Sequence, residues 1–143
     1  MLKFDKEKLN NYAEKSGIKF VVLFGSQAMG NTAKESDFDI AVSFKNGKSI
    51  FDDLKKYSEI LENFSKIFSI GDEKIDLTDL NNANILLRYE ITRNGIILFG
   101  DPQDYEELRA FSFRDYIDAK SLFELEDIII KKRLLFIKER LAV

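Results

Sequence analysis

Hydrophobic and polar positions along the chain switch between two periods. Leu9, Tyr12 and Ala13 share one face of a helical repeat, so the spacing predicts a helix from Asp5 to about Ser16, with Gly17 as its stop. Ile18–Phe24 (IKFVVLF) is a short β-rich run of the kind found in buried strands, and Phe38–Phe44 (FDIAVSF) is a second. A short helix is expected between them, and Lys45–Lys48 (KNGK) is a turn. Ser49 then reads as an N-cap with Asp52 three residues on. Ile50, Leu54, Tyr57, Leu61, Phe64 and Phe68 recur at helical spacing, predicting an amphipathic helix from Ser49 to about Phe68. Glu73–Leu80 (EKIDLTDL) alternates like a strand, with Ile75 and Leu77 pointing one way and Asp76 and Thr78 the other. Ala83–Asn94 is a helix ending at Gly95, Ile96–Phe99 a strand, and Gly100–Gln103 a breaker. From Asp104 onward the pattern is helical, with room for a break near Ser121. Strands alternating with helices indicate a layered α/β domain.

Composition narrows the chemistry. At 143 residues the chain is one domain, 1–143, divided into an α/β core (1–100) and a helical C-terminal extension (101–143) that is either docked or a partner-binding arm. With 45% hydrophobic and 33% charged residues it is neither disordered nor membrane-embedded. No apolar run approaches the roughly 20 residues that span a bilayer. The N-terminus is too charged for a signal peptide, and cytoplasmic location is the expectation. A net charge of −3 argues against broad nucleic-acid binding while leaving room for a local basic patch. The chain has no Cys and no His. That excludes disulfides, a Ser-His-Asp triad, a Cys nucleophile and zinc sites of His or Cys type. Carboxylates, Lys and Arg, hydroxyls and backbone amides remain, a set suited to oxygen-ligated Mg²⁺ or Mn²⁺ and to phosphate chemistry.

The segment LFGSQAMGNTAKESDFDIAV (Leu23 to Val42) concentrates these tools. Gly25 after a buried strand permits a tight turn and close approach of a ligand to the backbone. The Ser26 hydroxyl and nearby N–H groups would form an anion site at a helix start. Taken alone, Gly-Ser is an ordinary turn with a serine cap. Asp37 and Asp39, two apart on a strand, share a face about 6.6 Å apart. They repel unless a cation lies between them. Taken alone, they are a solvent-facing pair. Asp76 supplies a third carboxylate if its strand neighbours Phe38–Phe44 at about 4.8 Å; Asp79 is the competitor, on the other face at the strand end. Gln27, Lys34, Arg88 and Arg93 are further cations or amides within reach of a nucleotide or acceptor, with a solvated surface as their ordinary reading.

Gly-Ser, ten residues, Asp-x-Asp and a later strand Asp together resemble the nucleotidyltransferase superfamily that includes DNA polymerase β and kanamycin nucleotidyltransferase. Within it the wording GSQAMGNTAKESDFDIAV looks most like the minimal nucleotidyltransferase family, whose members commonly act as antitoxins beside HEPN-domain ribonuclease toxins. The resemblance covers about residues 16–100, and GDPQDYEELRAFSFRDYIDAK (Gly100 to Lys120) reads like that family's C-terminal helix. It implies an α/β (α+β) polymerase-beta-like fold, a mixed sheet of about four to five strands packed against helices. It also implies roles: Gly25 and Ser26 hold the triphosphate of ATP, Asp37 and Asp39 ligate Mg²⁺, and Asp76 completes a two-ion metal site and helps deprotonate the attacking hydroxyl. The activity implied is AMP transfer from ATP to a tyrosine of a cognate HEPN toxin, releasing pyrophosphate. Two rivals are an antitoxin that neutralises by binding alone and a small-molecule nucleotidyltransferase of the aminoglycoside type. The basic tail Phe123 to Val143 reads as an amphipathic helix covering the domain, a dimer partner or another protein, with RNA or an acidic patch as the sharper alternative.

Overall fold

The structure, a computed structural model, describes residues 3–28, 30 and 37–142. Helix α1 (Lys6–Lys15) starts where Asp5 Oδ1 accepts from the Lys8 amide at 3.1 Å. Strands β1 (Ile18–Phe24) and β2 (Phe38–Phe44) follow, then α2 (Leu54–Phe68), β3 (Ile75–Asp79), α3 (Ile85–Asn94), β4 (Ile96–Phe99) and α4 (Pro102–Leu141). The strands form one mixed sheet in the order β3-β2-β1-β4. β1 runs antiparallel to both β2 and β4, whereas β2 and β3 are parallel. The four strands are the lower end of the number expected.

Helices cover both faces, so both faces carry a core. On one, Leu9 and Ala13 of α1 and Ile60, Phe64 and Phe68 of α2 pack on Val21, Leu23, Ile40, Val42 and Leu77. On the other, Ile91 of α3 and Tyr105 of α4 pack on Phe20, Val22 and Ala41. This two-sided burial explains why β1 and β2 read as continuous apolar runs rather than alternating ones. A bulge between Ile18 and Phe20 changes the pairing register with β2. It lets Ile18 join the α1/α2 core although Phe20, two residues later, joins the opposite one.

Two expectations are corrected, and another lies mostly outside the described residues. Helix α2 begins at Leu54, not Ser49. The Ser49/Asp52 signal closes a separate turn instead: Ser49 Oγ accepts from the Phe51 amide at 3.1 Å, and Asp52 Oδ2 accepts from the Ser49 amide at 3.2 Å. That turn buries Ile50 completely enough (1% exposed) to act as a core residue, while Leu54 is left 77% exposed. Asp53 then caps α2, its Oδ1 accepting from Lys55 N at 3.0 Å and Lys56 N at 3.4 Å. Second, of the short helix expected after β1, Ser26–Ala28 form a turn, and the rest of that segment, residues 29 and 31–36, lies outside the described residues apart from Gly30. Third, α4 has no break at Ser121. It runs 40 residues, about 60 Å at 1.5 Å per residue, because no Gly or Pro interrupts it after Pro102.

Gly95 stops α3 as expected, but not through a left-handed turn. Its φ is −73°, and an added Cβ would run into the Ile91 carbonyl and the Val22 side chain. The residue is small because the helix end is pressed onto β1.

Candidate active site

The β2/β3 ladder sets the geometry of the acidic residues. Its register places Asp39 directly opposite Asp76, between the pairs Phe38–Ile75 and Ile40–Leu77. Paired residues in a parallel ladder project to the same face, so the two carboxylates stand side by side on the α3/α4 side of the sheet. Ile40 and Leu77 go to the other side, into the α1/α2 core. Asp37 lies just before β2 and is exposed. Across β2, Asp39 also pairs with Phe24, the last residue of β1, which brings the Gly25-Ser26 turn beside it.

The electrostatics of this corner are unfavourable without a cation. The Asp39 carboxyl is pushed above its ordinary value, first by burial, then by the charge of Asp76, then by a hydrogen bond with Asp76, and least by Asp37. Among the described residues, no group of three or more acidic side chains is drawn together as a ready-made ion cage. Two carboxylates meet, and the third flanks them. An oxygen-only donor set with repelling charges fits a hard divalent cation, which needs no His or Cys.

Gly25 belongs to the same corner. Its φ is +75°, a left-handed conformation, and a Cβ built there would overlap the Asp39 carboxylate. The turn therefore brings bare backbone against the acid. Gly25→Ala is expected to lower stability by about 1–2 kcal/mol, from the left-handed backbone alone. It should also displace Asp39 and cut the activity proposed below at least about tenfold. Thermal unfolding and initial rates check this; a variant equal to the parent in both would show that the turn is free to relax.

Asp79 is a structural acid. It is 5% exposed, on the core side of β3, and it accepts from the Asn81 amide at 3.2 Å and from Asn82 Nδ2 at 2.6 Å. Arg88 is engaged too: its guanidinium donates to the carbonyls of Asn81 and Ala83, both at 3.0 Å, tying down the loop after β3. It thus acts as a loop clamp, neither a simply solvated side chain nor one held ready for a nucleotide. Arg93 is exposed and lies over the Tyr89 ring, 5.8 Å from its centroid. Lys34 lies outside the described residues.

Sequence reasoning missed the aromatic surface between α3 and α4. Tyr89 and Tyr116 have ring centroids 4.0 Å apart. Beside them an open cavity of about 380 Å³ is lined by Tyr89, Thr92, Arg93, Glu106, Arg109 and Phe113. It lies on the helices that cover the carboxylates' side of the sheet. The available signal was the helical spacing of Phe113, Tyr116 and Phe123 on α4, but nothing in the sequence said that α3 would bring Tyr89 against it.

The family and the fold are shared with known proteins. The sequence model described as "Polymerase beta, Nucleotidyltransferase" matches residues 7–104. A relative from Aphanizomenon flos-aquae, named protein adenylyltransferase MntA, is 33% identical over 98 residues. The match covers 61% of this chain and 60% of that protein, so the chain spans less than two thirds of its relative's length. Among solved structures, a toxin–antitoxin with AMP-PNP superposes with a TM-score of 0.65 at 22% identity, covering 87% of this chain and 98% of the other. A tri-AMPylated Shewanella oneidensis HEPN toxin in complex with MNT antitoxin gives 0.56 at 21% identity, covering 87% and 99%. At these identities the superpositions show a shared fold. Among the described residues, no helix is long and apolar enough to cross a membrane.

Proposed function

This chain belongs to the polymerase beta nucleotidyltransferase family, and we propose from that premise that it is a protein adenylyltransferase and antitoxin, moving AMP from ATP to a tyrosine of a cognate HEPN toxin. The observation that carries the reading is the pairing of Asp39 with Asp76 beside the Gly25 turn. It is supported by the relative named as a protein adenylyltransferase and by the fold shared with antitoxin complexes, one with AMP-PNP and one with an AMPylated toxin.

In this reading Asp37, Asp39 and Asp76 would hold Mg²⁺, two ions in the full site, which would supply charge neutralisation for the attacking and leaving oxygens of an in-line displacement at phosphorus. The chain's own residues do the rest. Backbone N–H groups at Gly25 and Ser26, with the Ser26 hydroxyl, bind the triphosphate and orient it. Gly25 lacks a side chain, so the phosphates can approach the carboxylates closely. Asp76, exposed on its strand, accepts the proton of the acceptor hydroxyl. The acceptor oxygen bonds to the α-phosphorus as the bond from that phosphorus to the bridging oxygen breaks, and pyrophosphate leaves with the bonding electrons. Positioning and charge neutralisation suffice for such a transfer, which is how a chain without histidine carries it. The site works in the cytoplasm, where ATP is plentiful.

The test is to incubate the full chain with labelled ATP, Mg²⁺ and the protein encoded beside it. One or more adenylyl groups are expected on a tyrosine of that partner, with equimolar pyrophosphate. Tight binding with no modification would replace the enzyme by an antitoxin that acts through occlusion. Label transferred to an aminoglycoside in a parallel incubation with that compound, and none to the protein, would make it a small-molecule nucleotidyltransferase.

A further inference from the structure

The second half of α4 is an unpartnered apolar arm. Residues 124–142 are exposed throughout. Between 122 and 141, ten Leu, Ile and Phe side chains are 44–80% exposed. Single exposed hydrophobics are ordinary; ten within about six helical turns form a patch larger than monomers usually present. A helix without tertiary packing is also marginal in water. The only ion pair described along this arm is Asp127 to Lys131 at 2.9 Å.

The charges on the arm are sorted along its length. Asp118, Glu124, Glu126 and Asp127 lie in the first half, with Lys120 as the exception. Lys131, Lys132, Arg133, Lys138 and Arg140 lie in the second, with Glu139 as the exception. The apolar residues include a seam at coiled-coil spacing, Phe123, Ile130, Leu134, Ile137 and Leu141, with Asp127 as its one polar position. Ile129 and Phe136 lie outside that seam, beside Lys132 and Arg133 on an open surface that also includes Ile137.

We propose that α4 is a homodimerisation arm: residues 123–141 of two copies pair antiparallel, each acidic end against the other's basic end. The antiparallel arrangement sets the acidic end of each arm against the basic end of the other and brings like charges together where the two 131–133 segments meet at the centre; a parallel pair sets the two acidic ends together and the two basic ends together. With Ile130 facing Leu134 of the second copy, and Phe123 facing its Leu141, Glu124 comes level with Arg140 and Glu126 with Lys138. The arrangement is isologous, so one two-fold axis closes it and leaves no open end. An anionic membrane or RNA would favour the basic half and repel the acidic one. The inference is independent of the proposed activity.

The test needs neither ATP nor a partner. Sedimentation equilibrium of the full chain at micromolar concentration is expected to give twice the chain mass of 16.6 kDa. Reversing the acidic end (Glu124→Lys, Glu126→Lys) should weaken dimerisation at least tenfold. Reversing its partners in the same chain (Lys138→Glu, Arg140→Glu) should restore it. Ile130→Glu with Ile137→Glu should give a monomer whose α/β domain melts as before, since the second half of α4 is exposed throughout. A monomeric parent chain overturns the proposal, whether it then binds vesicles, RNA or an unlike protein. A dimer indifferent to the charge reversal, or one that the double reversal fails to restore, also overturns it.

Discussion

Asp39→Asn is expected to abolish adenylyl transfer and, at the same time, to raise the melting temperature of the metal-free protein at neutral pH. Both effects have one cause. The Asp39 carboxyl is pushed above its ordinary value by burial and by Asp76. A carboxyl whose folded pKa exceeds its unfolded pKa binds its proton more tightly in the folded chain. Stability therefore falls as pH rises from the unfolded pKa through the raised folded one, and above that window the charged form weakens the fold. Asparagine keeps the shape and removes the charge, so the difference from the parent should be absent at strongly acid pH and greatest at neutral pH. Its amide is a poor ligand for a hard cation and does nothing to neutralise one. Losing about 4 kcal/mol of transition-state charge stabilisation is roughly a thousandfold in rate. Mg²⁺ with ATP should raise the melting temperature of the parent and leave that of the variant unchanged. Because protons and Mg²⁺ compete for Asp39, the acid limb of the parent's pH–rate profile should move to lower pH as Mg²⁺ is raised. Asp37→Ala should also abolish transfer, without the gain in stability, because Asp37 is exposed. If both variants transferred AMP within about tenfold of the parent, the metal assignment would be wrong.

Asp76→Ala and Asp79→Ala should separate chemistry from stability. The two acids lie three residues apart on one short strand and face opposite sides of it. Asp76 is exposed, opposite Asp39; its loss should cost about a thousandfold in rate, on the same argument, with little change in unfolding free energy. Asp79 is buried and holds two donors of the following loop. Truncating it strips a buried acceptor from Asn82 and unties the turn, a loss of about 1–3 kcal/mol in stability. Transfer by the folded fraction should remain near that of the parent. Chemical denaturation and initial rates measured on the same preparations decide it. An inactive but stable Asp79→Ala would mean that the third metal ligand had been assigned to the wrong acid.

The element order was legible because each element carries its own local signal. Asp5 caps α1, Asn84 caps α3 and Asp101 caps α4, each through a carboxylate or amide oxygen accepting a backbone N–H within the first turn. The same local rules failed at Ser49, where two acceptable caps, Ser49 and Asp53, compete within five residues. Burial of Ile50 in the core selects the turn over an earlier helix start. The break for which the pattern left room in α4 is absent for the opposite reason. Nothing local stops that helix, and so it continues past the domain.

The sequence alone determined the inventory of this protein. Without His or Cys, with a Gly-Ser turn after an apolar strand and with acids at positions 37, 39 and 76, only phosphate and hard-cation chemistry remained open. Residue types and their spacing along one strand are local facts, readable from the chain. The tertiary structure decided which acids meet. Asp39 stands opposite Asp76 only because β2 and β3 are parallel neighbours in that register. A slip of one residue would have set Asp39 beside Ile75 or Leu77 and turned one of the strands over. Register is fixed by two hydrophobic cores acting on both faces of the sheet at once, a condition that no single stretch of sequence contains.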